Sequence, residues 1–224
     1  MARTYRLNQY LAQCLGIGRR KADDLIAAGE VQVDGAVAHL GLRVDGSERI
    51  VCQSVPIEPP QENLTVMLHK PIGYVCSRNG QGAPTIYELL PAELQKLKPV
   101  GRLDKESTGL LLLTNNGELS QQLGHPSQGK IKRYKVRLNR ALAPADRQHL
   151  ERGVSIDDSN RPSKLVLLNP NEAHTTWQVQ LEEGRNRQIR RSFAVLGYTV
   201  THLKRTHFGS YVLGELAEGA YIKL

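Results

Sequence analysis

The chain has 224 residues, with 30 Lys and Arg against 22 Asp and Glu, which gives a formal net charge of +8. This length accommodates a medium-sized domain and a small one, and the basic excess favours a polyanionic partner such as a nucleic acid. No apolar run approaches the roughly twenty residues of a transmembrane helix. No apolar signal-peptide core follows the basic N-terminus, so we expect a cytoplasmic protein.

The sequence carries no pattern for a metal or a cofactor. Cys14, Cys52 and Cys76 are far apart and odd in number, which argues against a disulfide framework and against a Cys-x-x-Cys metal site. The seven histidines lack metal-ligand spacing, and neither of the common glycine-rich phosphate loops occurs. We therefore expect a protein that uses no metal, cofactor or bound nucleotide.

The first 53 residues have the pattern of a small module with two helices and a small sheet. Leucines recur at helical spacing over residues 7–15, and a second helical pattern over residues 21–28 ends at a glycine. Short strands are predicted at residues 31–33 and 49–52. Residues 54–63 contain three prolines and no apolar periodicity, which indicates a semi-rigid linker. The predicted domains are therefore residues 1–53 and 64–224.

Three cations stand at the start of the second helix, in the segment Gly18-Arg19-Arg20-Lys21. The helix dipole and the side chains both favour phosphate at this position, so Arg19, Arg20 and Lys21 are candidate phosphate contacts. A solvated helix end has the same composition, and this alternative stays open.

A strand is predicted at residues 64–69, and a Pro-Gly turn then leads into a second strand that ends near residue 77. Lys70 lies at the start of this turn. It is a candidate contact for a phosphate, or an ordinary solvated turn residue.

Asp104 lies in the most informative part of the sequence, residues 101–115. The carboxylate has cations on both sides, Arg102 and Lys105, and it precedes a fully apolar segment of strand length. Such an Asp is often a turn former, a helix cap or part of a surface ion pair. The alternative is a reactive group mounted at the edge of a sheet.

Two later segments combine basic residues with apolar periodicity. Residues 130–138 alternate as in a half-buried strand, and Tyr134 stands among cations, where its ring can stack on a base or pack within the sheet. Within residues 183–197, Ile189, Phe193 and Leu196 fall on one stripe, which predicts an amphipathic helix. Near its start, Arg185 and Arg187 are candidate phosphate contacts or solvated surface residues. Arg190 is expected to be partly buried, and Asp104 is its natural carboxylate partner.

Several of these motifs resemble those of the pseudouridine synthases, specifically the subfamily that modifies ribosomal RNA and carries an N-terminal alpha-L RNA-binding module. The resemblance covers nearly the whole chain. It rests on the following segments: residues 6–35, Lys70-Pro71-Ile72-Gly73, Gly101-Arg102-Leu103-Asp104, Arg133-Tyr134-Lys135-Val136, Gln188-Ile189-Arg190 and Leu203-Lys204-Arg205 with Gly209. It implies an α+β fold, in which a mostly antiparallel mixed sheet flanked by helices follows the small module.

The resemblance also implies roles for individual residues. Asp104 is expected to be the nucleophile, and Arg190 its ion-pair partner. Tyr134 is expected to stack on the target uracil and to assist proton removal, while Leu203, which otherwise looks like a core residue, lines the uracil pocket. The expected RNA-binding residues are Arg102, Lys70, Arg185, Arg187, Arg19, Arg20 and Lys21.

The implied function is the isomerisation of one uridine of ribosomal RNA to pseudouridine, by a monomer that acts on free RNA or on an assembling subunit. Residues 76–79 and the loop after them favour large-subunit RNA by resemblance, and small-subunit RNA is the alternative. A non-catalytic RNA-binding or ribosome-assembly factor is a further alternative. A glycosidase-like enzyme needs a second carboxylate, for which Glu106 is the nearest candidate.

Overall fold

The structure, a computed structural model, describes residues 4–59, 62–80, 82–124, 130–157 and 161–224. The chain forms two compact units, Met1–Asn63 and Leu64–Leu224. Residues 60 and 61 of the predicted linker lie outside the described residues. Within the described part of the chain, no helix has both the length and the apolar character needed to cross a membrane.

The N-terminal unit contains two helices, α1 (Leu7–Cys14) and α2 (Arg19–Ala27), and short strands. The strands are β1 (Tyr5–Arg6), β2 (Val31–Val33), β3 (Ala36–Val37), β4 (Arg43–Val44), β5 (Ile50–Cys52) and β6 (Val55–Pro56). Strands β3, β2, β5 and β6 form an antiparallel sheet in that order, and β1 pairs with β4. Leu7 and Leu11 share one buried cluster with β2 and β5 side chains, as the helical periodicity predicts. Leu15, the last leucine of that pattern, follows α1 and is exposed.

The start of the predicted linker, residues 54–63, is part of this sheet. Gln53 and Ser54 both have positive φ, at 51° and 66°, which is the conformation of a tight two-residue hairpin turn. The turn brings Val55 and Pro56 back against β5. Proline is tolerated there because an edge strand does not need every N–H. Residues 55 and 56 therefore belong to the module, and the end predicted at residue 53 from the proline-rich composition was too early.

The second unit consists of a large sheet with helices α3 (Gly117–Gly124), α4 (Pro144–Arg152) and α5 (Gln188–Val195). Its strands are β7 (Thr65–Lys70), β8 (Lys98–Pro99), β9 (Thr108–Thr114), β10 (Lys132–Leu138), β11 (Val166–Leu168), β12 (Thr176–Leu181), β13 (Val200–Phe208), β14 (Tyr211–Val212) and β15 (Tyr221–Lys223). The main order is β11-β12-β10-β13-β9-β7-β15. Only β9 and β13 pair in parallel among the described strands. The predicted α+β class with a mixed, mostly antiparallel sheet is confirmed.

Strand β9 is central in the sheet and is buried along its whole length. Leu111 and Leu113 face one hydrophobic cluster, and Leu110 and Leu112 face another on the opposite side. A strand with both faces covered needs this continuous apolar run. Asp104 therefore precedes a central strand, and not a strand at the edge of the sheet.

The segment after β7 differs from the prediction of a second strand. Strand β7 ends at Lys70, and residues 71–80 form turns and bends. Val75 makes one isolated parallel bridge to Thr85. The turn found by the sequence is present, but the chain after it lines the site described next.

Candidate active site

An open cleft of about 540 Å³ lies in the second unit. Its walls come from residues 101–107, from the cleft-facing side chains of β10 and β13, and from the segment that leads into α5. The sequence-predicted residues that line it are Arg102, Asp104, Tyr134, Arg185, Arg187 and Leu203. The fold thus brings together side chains that lie up to a hundred positions apart in the sequence. Arg190 and Lys70 are not among the lining residues.

The loop that carries Asp104 is held by its own backbone. The N–H of Ser107 donates to the carbonyl of Asp104 at 3.0 Å, and the N–H of Gly73 donates to the carbonyl of Lys105 at 2.9 Å. At the start of β9, Gly109 has φ +112°, and a Cβ at this position would lie 2.2 Å from the Arg205 carbonyl oxygen. Only glycine permits this approach between β9 and β13.

Arg187 is the cation that forms an ion pair with Asp104. Its Nη1 lies 3.9 Å from Asp104 Oδ2 and 2.7 Å from Glu106 Oε2. The hydrogen bond from Arg187 lowers the pKa of Glu106, and the same bond raises the pKa of Arg187. Arg187 precedes α5 in a left-handed conformation, with φ 49° and ψ 32°. Both Asp104 and Arg187 keep part of their side chains in solvent, at 32% and 43%.

The predicted ion pair between Arg190 and Asp104 is wrong. Arg190 instead donates from Nη1 to the Val200 carbonyl and from Nη2 to the Glu106 carbonyl, both at 2.8 Å. Burial lowers its pKa, with a further contribution from Arg187, while Glu106 and Asp104 oppose the shift. Arg190 thus contacts the loop that carries Asp104 through the Glu106 carbonyl and not through the Asp104 carboxylate. A guanidinium can be satisfied by carbonyls as well as by a carboxylate, and the sequence does not distinguish these acceptors.

Lys70 is not a phosphate contact, because its side chain is fully buried. Its Nζ donates to the Ser107 carbonyl at 2.8 Å and to the Pro71 carbonyl at 2.9 Å. Burial lowers the pKa of Lys70, and nearby acidic groups, including Asp104, partly offset this effect. The turn predicted from the Lys-Pro pair begins only after Lys70, so the last residue of β7 still points into the protein.

Arg185 lines the cleft but is already engaged by the protein. Its guanidinium lies 3.2 Å from Glu183 and 3.5 Å from Asp157, and it donates to the Arg161 carbonyl at 2.7 Å. Through these partners, Arg185 stabilises the wall of the cleft. This arrangement does not favour its predicted role as a phosphate contact. Arg102, in contrast, is exposed on the cleft.

Tyr134 and Leu203 form part of the buried floor, with 8% and 5% exposure. Tyr134 pairs with Arg205 across β10 and β13, and Val136 pairs with Leu203, so these side chains share one face of the sheet. Arg205 also lines the cleft. Sequence reasoning gave it no role, although it stands two positions after Leu203 in the same motif.

Lys132 is a second lining residue that sequence reasoning missed. It has the same strand parity as Tyr134, and this parity was the available signal. Its Nζ lies 3.4 Å from the Glu183 carbonyl oxygen. Burial lowers the pKa of Lys132, with a second contribution from Arg205.

The N-terminal unit carries the other predicted contacts. Arg19, Arg20 and Lys21 are all exposed at the start of α2, and Gly18 caps this helix without a side-chain hydrogen bond. A role for them in binding RNA stays a prediction. Within the described residues of both units, no group of three or more His, Cys, Asp and Glu side chains is arranged to hold a metal ion.

The open cleft on the mixed sheet thus combines a partly exposed carboxylate, several cations and a buried tyrosine. The sequence profile described as RNA pseudouridylate synthase matches residues 64–195. Ribosomal large subunit pseudouridine synthase B of Bacillus subtilis (strain 168) is 34% identical over 220 residues, which cover 96% of this chain and 89% of that protein. The protein of the same name from Escherichia coli (strain K12) is 35% identical over 230 residues, which cover 98% of this chain and 79% of that protein.

The fold is also similar to a solved structure described as a pseudouridylate synthase. The TM-score is 0.70 at 30% sequence identity, and the match covers 98% of this chain and 95% of the other. The chain therefore belongs to the RNA pseudouridylate synthase family, and it is an isomerase.

Proposed function

We propose that this chain converts a specific uridine of large-subunit ribosomal RNA to pseudouridine, with Asp104 as the nucleophile. The observation that carries this proposal is the position of Asp104, partly exposed on a cleft whose floor contains Tyr134 and Leu203. The choice of the large subunit rests on the printed names of the relatives from Bacillus subtilis and Escherichia coli. Small-subunit RNA is the alternative substrate.

The reaction breaks the bond between the sugar C1′ and ring N1, turns the detached uracil, and joins C1′ to ring C5. The C5 proton leaves and N1 gains a proton, so the reaction needs no oxidant or reductant. Asp104 can add to C1′ or to ring C6, or it can assist the formation of a glycal. Tyr134 and Leu203 hold the base, which must leave its stack to reach this cleft.

The remaining parts of the proposal concern RNA binding and location. Arg102 contacts a phosphate beside the cleft, where it is exposed, and Arg187 contacts a second one through the 43% of its side chain that stays exposed beside its pair with Glu106. The N-terminal unit acts as an alpha-L RNA-binding module through Arg19, Arg20 and Lys21. RNA affinity then falls steeply with salt, as counterions compete for the phosphates. The enzyme works as a monomer in the cytoplasm.

The test uses large- and small-subunit ribosomal RNA from a strain that lacks this gene, labelled with tritium at C5 of uridine. Wild-type protein should release tritium from the large-subunit RNA only. Asp104→Asn should release none while its RNA affinity stays close to that of wild type, because the substitution keeps the size and removes the charge. Turnover by Asp104→Asn rules out the nucleophile assignment, and release from small-subunit RNA alone reverses the choice of substrate.

Glu106→Gln is the matched control, since it removes the charge of the neighbouring carboxylate. It should keep turnover. If Glu106→Gln is inactive and the wild-type products contain free uracil, the results favour a base-cleaving enzyme that uses two carboxylates.

A further inference from the structure

Arg205 lines the cleft and has an unused hydrogen-bond donor. The side chain is 2% exposed, and its Nε donates to the Leu110 carbonyl at 2.8 Å. Its Nη2 is buried and has no hydrogen-bond partner among the described residues. The guanidinium carbon lies 4.9 Å from the centre of the Phe208 ring, which helps to fix the group in place. A buried charged donor without an acceptor is costly, so its retention in the cleft indicates that an acceptor arrives with the substrate.

The position of Arg205 identifies the part of the substrate that it meets. Its Cα partner across the strands is Tyr134, and Leu203 lies two residues earlier on the same face of β13. All three side chains line the cleft and are almost fully buried. Arg205 is therefore next to the floor that receives the base under the proposed function. Exposed cations, Arg102 and Arg187, are available for the phosphates, which stay outside with the RNA backbone.

Lys132 adds a second positive charge at the same place. Its Nζ lies 5.4 Å from the centre of the Phe208 ring, so the two cations flank one aromatic side chain. Two like charges in a poorly hydrated space repel each other and favour an anion between or beside them. Arg205 and Lys132 thus give this end of the cleft a positive potential before the substrate enters.

We infer that Arg205 Nη2 donates a hydrogen bond to a carbonyl oxygen of the flipped uracil and stabilises the negative charge that the ring carries while it is detached from the sugar. Lys132 strengthens this site from its more exposed side. The inference rests on the proposed function and extends it, because it assigns the group that holds the leaving base.

The chemistry requires such a group. When the C1′–N1 bond breaks, its electron pair stays with the ring, and N1, O2 and O4 share one negative charge. Addition of Asp104 to C6 also places negative charge on the ring carbonyls. The charge disappears when C1′ joins C5, the C5 proton leaves, and N1 takes up a proton. A donor that is fixed before the reaction starts stabilises this charge without reorganising, which is the basis of an oxyanion hole.

The test compares wild type, Arg205→Lys and Lys132→Gln on large-subunit ribosomal RNA transcribed with either uridine or 5-fluorouridine. Fluorine withdraws electrons and stabilises the detached ring, so it reduces the need for a protein donor. Because C5 then carries no proton that can leave, the rejoined ring keeps its fluorine, and water adds across C6 and N1. Turnover on 5-fluorouridine is therefore measured as the mass gain of one water in the nuclease fragment that contains the target, and turnover on uridine as tritium release. Arg205→Lys keeps the charge, but its single ammonium cannot serve Leu110 and the base together. We expect its single-turnover rate on uridine to fall on the order of 100-fold, and the deficit to be clearly smaller on 5-fluorouridine. RNA affinity and its dependence on salt should not change.

Lys135→Gln is the control, because Lys135 is exposed and has the opposite strand parity from Lys132 and Tyr134. It should match wild type on both substrates. Equal deficits of Arg205→Lys on uridine and 5-fluorouridine overturn the inference in favour of a structural role. A weaker affinity with a reduced salt slope overturns it in favour of a phosphate contact.

The same experiment distinguishes a folding defect of Arg205→Lys, a failure of the proposed function and a failure of this inference. If Arg205→Lys loses RNA binding and unfolds at a lower temperature than wild type, Lys132→Gln tests the inference in its place, because it leaves the Arg205 bond to Leu110 intact. The loss of rate in Lys132→Gln must then also be smaller on 5-fluorouridine than on uridine. Turnover by Asp104→Asn contradicts the proposed function, whereas an Arg205→Lys variant as fast as wild type contradicts only this inference.

Discussion

Arg190→Lys tests whether Arg190 matters through its positive charge alone or also through its two hydrogen bonds to backbone carbonyls. The substitution keeps the positive charge but replaces a fork that reaches two carbonyls with a single ammonium. The Val200 carbonyl belongs to a buried residue and the Glu106 carbonyl to an exposed one, so we expect lysine to keep the first bond and lose the second. A hydrogen bond from a charged donor contributes about 1.5–3 kcal/mol to the free energy of unfolding. Because water can replace the lost donor at the Glu106 carbonyl, we expect a loss at the lower end of this range.

A loss of about 1.5 kcal/mol corresponds to a decrease in Tm of roughly 3–6 °C for a unit of this size. The same change loosens the loop that holds Asp104, and a barrier raised by about 1.4 kcal/mol slows the reaction roughly tenfold. Thermal unfolding and single-turnover tritium release measure the two effects. Arg190→Met, which removes the charge as well, should be slower still.

The matched control is Arg191→Lys, because Arg191 is 39% exposed and only approaches Asp157 at 3.9 Å. It should change neither Tm nor rate. If Arg190→Lys equals wild type in both measurements while Arg190→Met is inactive, the charge of Arg190 alone matters. The reasoning from the two carbonyl bonds is then refuted.

Two further predictions concern the β9 junction and the cleft surface. Gly109→Ala should destabilise the protein by at least about 2 kcal/mol in urea unfolding, because its Cβ would overlap the Arg205 backbone at a positive φ. The control is Gly124→Ala, because a Cβ at Gly124 meets nothing within 4 Å. Equal stability of the two variants contradicts the steric argument. Arg102→Gln should reduce the slope of log affinity for ribosomal RNA against log salt by about 1. Arg185→Gln should leave that slope unchanged since carboxylates already hold Arg185, and a reduced slope would mean that its guanidinium reaches RNA.

The sequence predicts those features that depend on local pattern. The continuous leucines at residues 110–113 indicate a strand, and a strand apolar at every position must be covered on both faces, as β9 is. Alternation over residues 130–138 likewise places Tyr134 on the buried face of β10. The cleft then follows in part, because residues of one parity on neighbouring strands meet on one side of the sheet.

The partners of the buried cations could not be predicted in this way. From the sequence, a partly buried arginine calls for a carboxylate, and Asp104 was the obvious choice for Arg190. In the structure, Arg190 and Lys70 donate instead to carbonyl oxygens of the backbone. Every residue has a carbonyl, so composition and spacing contain no signal for which one will point at a cation.

These carbonyls are not scattered along the chain. The Glu106, Ser107 and Leu110 carbonyls accept from Arg190, Lys70 and Arg205 respectively. Three cations from α5, β7 and β13 therefore hold the main chain that directly follows Asp104.

This arrangement places positive charge around Asp104 without tying up its carboxylate. The ion pair with Arg187 spans 3.9 Å, which is longer than a hydrogen bond. A carboxylate locked in a short two-pronged pair with arginine would have to break that pair before it could attack a sugar or a ring. Anchoring the cations on the backbone avoids this problem, because the same side chains fix the loop while the Asp104 carboxylate stays available for the nucleophilic attack proposed above.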